Sequence, residues 1–203
     1  MVTDRRGIQH CKGCKWVPDS WVANIAKKVK GVQFASILNV ADESNFPIGL
    51  INIIKNGKMG VAITYDILGN TNMTFRSGGK YSYGVIGVGY NHRLEDSNKI
   101  VAEAGYGIHI PICQWLELNN ELKVISSSSS KTDFVNFSYL LAPSFTLFEH
   151  LNLFGGPSIK YFMSPTKSKV ERILPSSYLW SKTKSSNFQQ LYVGYQFGLQ
   201  YIF

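Results

Sequence analysis

The stretch Leu191-Tyr-Val-Gly-Tyr-Gln-Phe-Gly-Leu-Gln-Tyr-Ile-Phe203 decides the fold class. Every odd position is large and apolar: Leu191, Val193, Tyr195, Phe197, Leu199, Tyr201 and Phe203. Gly194, Gln196, Gly198 and Gln200 stand between them. Successive side chains of a strand point to opposite faces. A period of two held over this length therefore describes a strand with one oily face and one polar, crowded face.

The same alternation recurs upstream. Met59, Val61, Ile63 and Tyr65 oppose Gly60, Ala62, Thr64 and Asp66, and Thr71, Met73 and Phe75 oppose Asn72, Thr74 and Arg76. Ser77-Gly-Gly-Lys80 reads as a tight turn, because paired glycines supply the positive φ that hairpins require. Tyr81–Asn91 is strand-like, but its apolar face changes parity between Val85 and Ile86, which predicts a bulge or close packing at the glycines. Ile100, Ala104, Tyr106, Ile108 and Ile110 then face away from Glu103 and His109, and Leu116, Leu118, Leu122 and Val124 face away from Glu117, Glu121 and Lys123. Phe134–Leu147 and Leu151–Phe162 continue the pattern.

The connections sort by size. Ser164–Asn187, Ser126–Thr132, Arg93–Asn98, Asp66–Asn70 and Asp42–Phe46 are long or polar. They alternate with short breaks at Glu149-His150, Pro111, Ser77–Lys80, Asn56-Gly57 and Lys27–Lys30. In an antiparallel meander this places all long loops at one end and Phe203 at the other, the asymmetry of transmembrane barrels. The expected architecture is all-β, an antiparallel up-and-down transmembrane β-barrel. Eight strands follow Lys58; Gly31–Ala41 and Gly49–Lys55 raise the expectation to about ten, with eight or twelve as alternatives. Three regions result: 1–20, a poorly structured or truncated start; 21–57, Asn-containing strand repeats joined to the barrel; and 58–203, the barrel with its closing strand.

Composition agrees with this class. Charged residues are 17% against roughly 25% in soluble domains. No run approaches the ~20 apolar residues of a membrane helix. The net charge of +8 comes from scattered lysines and arginines without a basic helix or RNA-binding aromatic motif, so nucleic acid is not an expected partner. Cys11-Lys-Gly-Cys14 lacks both the following His of a haem site and a second pair for zinc, so no metal or cofactor is expected. Met1–Gly7 carries no apolar segment of a secretory signal, which leaves a cytosolic protein or, as the expectation favoured here, a processed, truncated or mis-started form of a longer precursor.

A closing strand that stops on Phe203 resembles the last strand of bacterial outer-membrane β-barrels. The resemblance implies that Tyr195, Phe197, Leu199, Tyr201 and Phe203 form an assembly signal for the barrel-assembly machinery. A second resemblance lies upstream. Val22-Ala-Asn24-Ile-Ala26 is echoed by Ile37-Leu-Asn39-Val-Ala41 and by Leu50-Ile-Asn52-Ile-Ile54, with Asn spacings of fifteen and thirteen residues. This self-similarity means one repeated unit, a strand and a turn, with each Asn facing a polar interior where amides can ladder. The series is similar to the surface-repeat region of uncharacterised outer-membrane proteins of Bacteroides-like bacteria. It implies a monomer in the outer membrane of a Gram-negative bacterium, in contact with outer-membrane lipid.

The inward faces would collect Asp66, Arg76, Glu103, His109, Glu117, Glu121, Lys123 and Lys160. In a narrow barrel these form a network that fills the lumen; in a wider one they line a small pore for ions or solutes. An enzyme acting on lipid would need a nucleophile with an activating base. His109 with Glu103 or Glu117 is the available pairing, but no Gly-x-Ser-x-Gly elbow exists, so no catalytic residue is expected. A soluble lipocalin-like carrier would invert the faces, turning Glu103, Glu117, Glu121 and Lys123 outward.

Overall fold

The computed structural model describes residues 2–3, 8–11, 19–20, 23–94, 99–127, 133–165, 170–184 and 187–203. Much of the expected ragged start, with Cys14, lies outside the described residues. The described chain is all strand and turn, in two sheets.

The first sheet contains β1 (Val2–Thr3), β2 (Ile8–Cys11), β3 (Asp19–Ser20), β4 (Ala23–Ala35), β5 (Leu38–Ile48) and β6 (Ile51–Ile54). Strands β2, β4, β5 and β6 pair in parallel, so Gln9, Asn24, Asn39 and Asn52 fall in one register row. Ile25, Val40 and Ile53 form the next row, and Ala26, Ala41 and Ile54 the one after. The chain thus coils, each turn stacking on the last, and Ala26, Val29, Ala41 and Ile54 pack as its small core. Asn24, Asn39 and Asn52 are fully buried, and Asn39 Nδ2 donates to Asn52 Oδ1 at 2.8 Å.

This corrects the strand count. Gly31–Ala41 and Gly49–Lys55 are not barrel strands, and Lys27–Lys30 and Asp42–Phe46 lie within β4 and β5 rather than forming turns. The physical reason is register. Antiparallel partners run in opposite directions, so a repeated motif cannot align with itself along its length. Parallel stacking sets each residue on its counterpart one coil turn later, as Asn24 on Asn39 and Asn39 on Asn52.

The second sheet closes on itself. Its ring is β7 (Met59–Asp66), β8 (Asn70–Gly78), β9 (Ser82–Asn91), β10 (Ile100–Cys113), β11 (Leu116–Ser127), β12 (Phe134–Phe148), β13 (Leu151–Ser164) and β15 (Asn187–Ile202), each antiparallel to its neighbours. The short β14 (Trp180–Lys184) extends the wall by pairing with the start of β15, beyond the point where β7 ends. The barrel therefore has eight strands, not ten. One hydrogen-bonded row runs from Pro111 through Glu117, Ser144, Phe154, Gly198, Thr64, Asn72 and Gly89 to Val101, a displacement of ten residues along β10. Such a shear tilts the strands by roughly 40° and leaves an interior that side chains can fill.

Strand β9 pairs with β8 and β10 without a register shift, so of the two expectations the bulge is absent and the close packing at the glycines is found, at Gly84, Gly87 and Gly89. Tyr83 and Val85 point into the lumen while Ile86, Val88 and Tyr90 face out. Large residues simply occupy both faces. The outward positions beside Tyr83 are Ser82 and Gly84, and the repeat coil covers them: Ser82 Oγ donates to Pro47 O at 3.0 Å. A Cβ on Gly84 would stand 2.2 Å from Leu50 O. Asn52 completes the attachment, its backbone N–H donating to Ser77 Oγ at 2.9 Å and its side chain to Ser77 O at 3.1 Å. The repeats are thus seated on the outer wall at the β8–β9 hairpin. The carboxyl terminus lies at the short-turn end, where Ile202 N–H donates to His150 O and Phe203 N–H to Met59 O.

Candidate functional site

Alternation sends one set of side chains into the lumen, and three layers result. At the short-turn end Lys58, just before β7, hydrogen-bonds Glu117 of β11. His109 Nδ1 is 2.9 Å from Asn119 Oδ1 and 3.7 Å from Glu117, and its ring stacks on Tyr83 at 4.2 Å.

The middle layer centres on Glu121. Its carboxylate accepts from Tyr83 Oη at 2.6 Å and pairs with Arg76 at 2.9 Å and Lys123 at 3.0 Å. Lys123 also pairs with Glu103 at 3.0 Å and donates to Gln196 Oε1 at 2.8 Å. Asn72 donates to Glu103, and Arg76 donates to Gln200 and stacks over Phe154, 4.0 Å from the ring centre. These charges are fully removed from water, which is tolerable only because each is paired and further hydrogen-bonded.

Toward the long-loop end Lys160 Nζ donates to Asp66 Oδ2 at 2.6 Å. Asp66 also accepts the backbone N–H groups of Leu68 and Asn70, at 3.0 and 3.1 Å. It thereby shapes the β7–β8 turn, in which Gly69 adopts a φ of 82°. Above it the lumen turns apolar. Leu68, Leu94, Val101, Ile125, Phe134, Phe162, Phe188 and Tyr192 meet Val170 and Ile173 from the connection between β13 and β14, all buried. Charge is balanced throughout: Lys58, Arg76, Lys123 and Lys160 oppose Glu117, Glu121, Glu103 and Asp66.

All eight residues singled out from the sequence as lumen candidates face inward. Arg76, Glu121, Lys123 and Glu103 share one ion-pair network, and Lys58, Glu117 and His109 form a second, which meets the first through the stacking of His109 on Tyr83; Asp66 and Lys160 form a separate pair nearer the plug. Sequence reasoning missed Lys58, Tyr83, Asn72, Gln196 and Gln200. The last three occupy inward positions in their alternation and were available by parity. Tyr83 was hidden by the parity change in β9, whereas Lys58 shares the inward parity of Gly60, Ala62, Thr64 and Asp66 and was also available.

The outer face is the inverse of the lumen. Ile63, Met73, Val88, Ile100 and Leu122 are each 60–64% exposed, and Phe137, Tyr139, Ile159 and Val193 join them around the ring. Tyr195, Phe197, Leu199, Tyr201 and Phe203 lie exposed on this face, with Tyr195 stacked on Phe197 at 5.2 Å. His109, the base considered for catalysis, takes Asn119 as its hydrogen-bond partner. Cys113 is a free, exposed thiol, and Cys11 lies in the first coil. Comparison with protein-family models, curated proteins and solved structures found no match.

Proposed function

We propose that this is an outer-membrane β-barrel of a Gram-negative bacterium, related to the surface-repeat proteins of Bacteroides-like bacteria, with a structural or surface role. The observation that carries the reading is the inverted polarity of the wall: paired charges within, a belt of exposed aliphatic and aromatic side chains without. An apolar belt around a closed sheet matches lipid, where closure leaves no backbone group unpaired. Exposed apolar patches of this extent are rare on soluble monomers. The balanced, side-chain-filled lumen and its apolar plug argue for a closed barrel over a pore. Tyr195–Phe203 serves in this reading as the assembly signal for the barrel-assembly machinery, and no catalytic role is assigned.

The test is the medium in which the barrel folds. Refolding from urea should succeed in detergent micelles or liposomes, and the unboiled protein should migrate differently from the boiled protein on a gel. A monodisperse folded monomer without detergent overturns the reading. That outcome would favour a soluble barrel, one that differs from a lipocalin-like carrier in keeping Glu103, Glu121 and Lys123 inside and its apolar groove outside.

A further inference from the structure

The coil of repeats does more than dock on the barrel; it builds a second wall beside the first. Its turns at Phe34–Ser36 and Ile48–Leu50 stand over the outer faces of β10–β13 and flank an open groove of about 700 Å³. That volume lies in the roughly 300–1,000 Å³ range of small-molecule sites. Phe34 and Leu50 form one side; Leu122, Phe137, Tyr139 and Ile159 form the other. Its walls are fixed in place, because the coil is pinned by the Ser82–Pro47 and Asn52–Ser77 hydrogen bonds and by the close approach of Leu50 to Gly84.

We propose that this groove seats one acyl chain of a membrane lipid. Continuity carries the choice of occupant. Leu122, Phe137, Tyr139 and Ile159 belong at once to the groove and to the exposed apolar belt, so a chain in the groove remains part of the layer around the barrel. A hydrocarbon chain fits an apolar groove without asking for hydrogen bonds. Between the coil and the wall, the chain fills a gap that neither element fills itself. This proposal rests on the membrane reading above and adds a localised lipid to it.

The experiment uses the full chain in liposomes of phosphatidylcholine carrying a photoactivatable diazirine at mid-chain of one acyl group, with crosslinks mapped by mass spectrometry. Label on Phe34 or Leu50, which belong to the repeats rather than the barrel, together with label on belt residues such as Ile63 and Met73, is the expected result. Val124→Trp, which narrows the groove, should abolish label at Phe34 and Leu50 and leave Ile63 and Met73 labelled. Tyr139→Ala, which widens it, should keep the groove labelled and guards against a misfolded tryptophan variant. Label on the belt with none at Phe34 or Leu50 in the native protein overturns the lipid seat while leaving the membrane reading intact. Failure of the belt itself to label overturns both.

Discussion

At the scale of the residue, the same ion pair has opposite weight inside and outside the barrel. Glu121 is buried between Arg76, Lys123 and Tyr83, so Glu121→Gln removes a charge that two buried cations depend on. Breaking such a buried set by removing one partner costs roughly 3–5 kcal/mol. Urea unfolding in micelles should show a loss of that order. By contrast Lys28 and Glu43 pair at 2.5 Å with both side chains about half exposed, and Lys28→Gln should shift the midpoint by less than about 1 kcal/mol. On the coil, Lys55 hydrogen-bonds Asp42 and holds its carboxyl below the ordinary carboxylate value, with Lys27 adding to the effect. A depressed folded pKa contributes stability that is present above the unfolded value and fades as pH falls through the folded one. A carboxyl-carbon NMR titration should place Asp42 low in the native protein and return it toward the ordinary value in Lys55→Gln; an unchanged midpoint in the variant would refute the pairing.

At the scale of the element, parity made most of the site legible. Glu103, Glu117, Glu121 and Lys123 could be assigned to one face because their neighbours Tyr106, Leu118, Leu122 and Val124 claim the other. The assignment makes a sharp demand on the belt: Ile63→Arg places a cation on the outward face and should cost roughly 2–4 kcal/mol near a bilayer midplane, read as lost refolding yield in liposomes. Equal refolding of the variant and the native chain would count against lipid contact there. Strand β9 shows where parity stops being enough. Tyr83 and Val85 look like the oily face of a strand, yet they point inward because Ser82 and Gly84 are reserved for the repeat coil. Gly84→Leu should therefore push the Ile48–Leu50 turn off the wall, detected as faster hydrogen exchange in β5 and β6 with β11–β13 unchanged. Unaltered exchange in the coil would show that the seat does not hold it.

At the scale of the whole molecule, the arrangement predicts silence. A lumen of balanced ion pairs beneath a plug of Leu68, Phe134, Phe162, Val170 and Ile173 should give no steady conductance in planar bilayers, and reproducible single-channel steps would contradict it. The all-β class, the oily face of the ring strands other than β9, the position of Phe203 at the short-turn end and the repeated Asn unit were all legible in the amino-acid sequence. Those follow from period-two alternation, turn residues and spacing, all of which are local. Only the tertiary structure decided that the repeats coil in parallel beside the barrel instead of lengthening it, that the ring closes at eight strands with a shear of ten, and that residues 170 and 173 plug the lumen. Each depends on which segments pair, not on the pattern within any one segment. Alternation gives a strand its two faces, whereas its neighbour is chosen by which distant edge can take up its hydrogen bonds and cover its side chains.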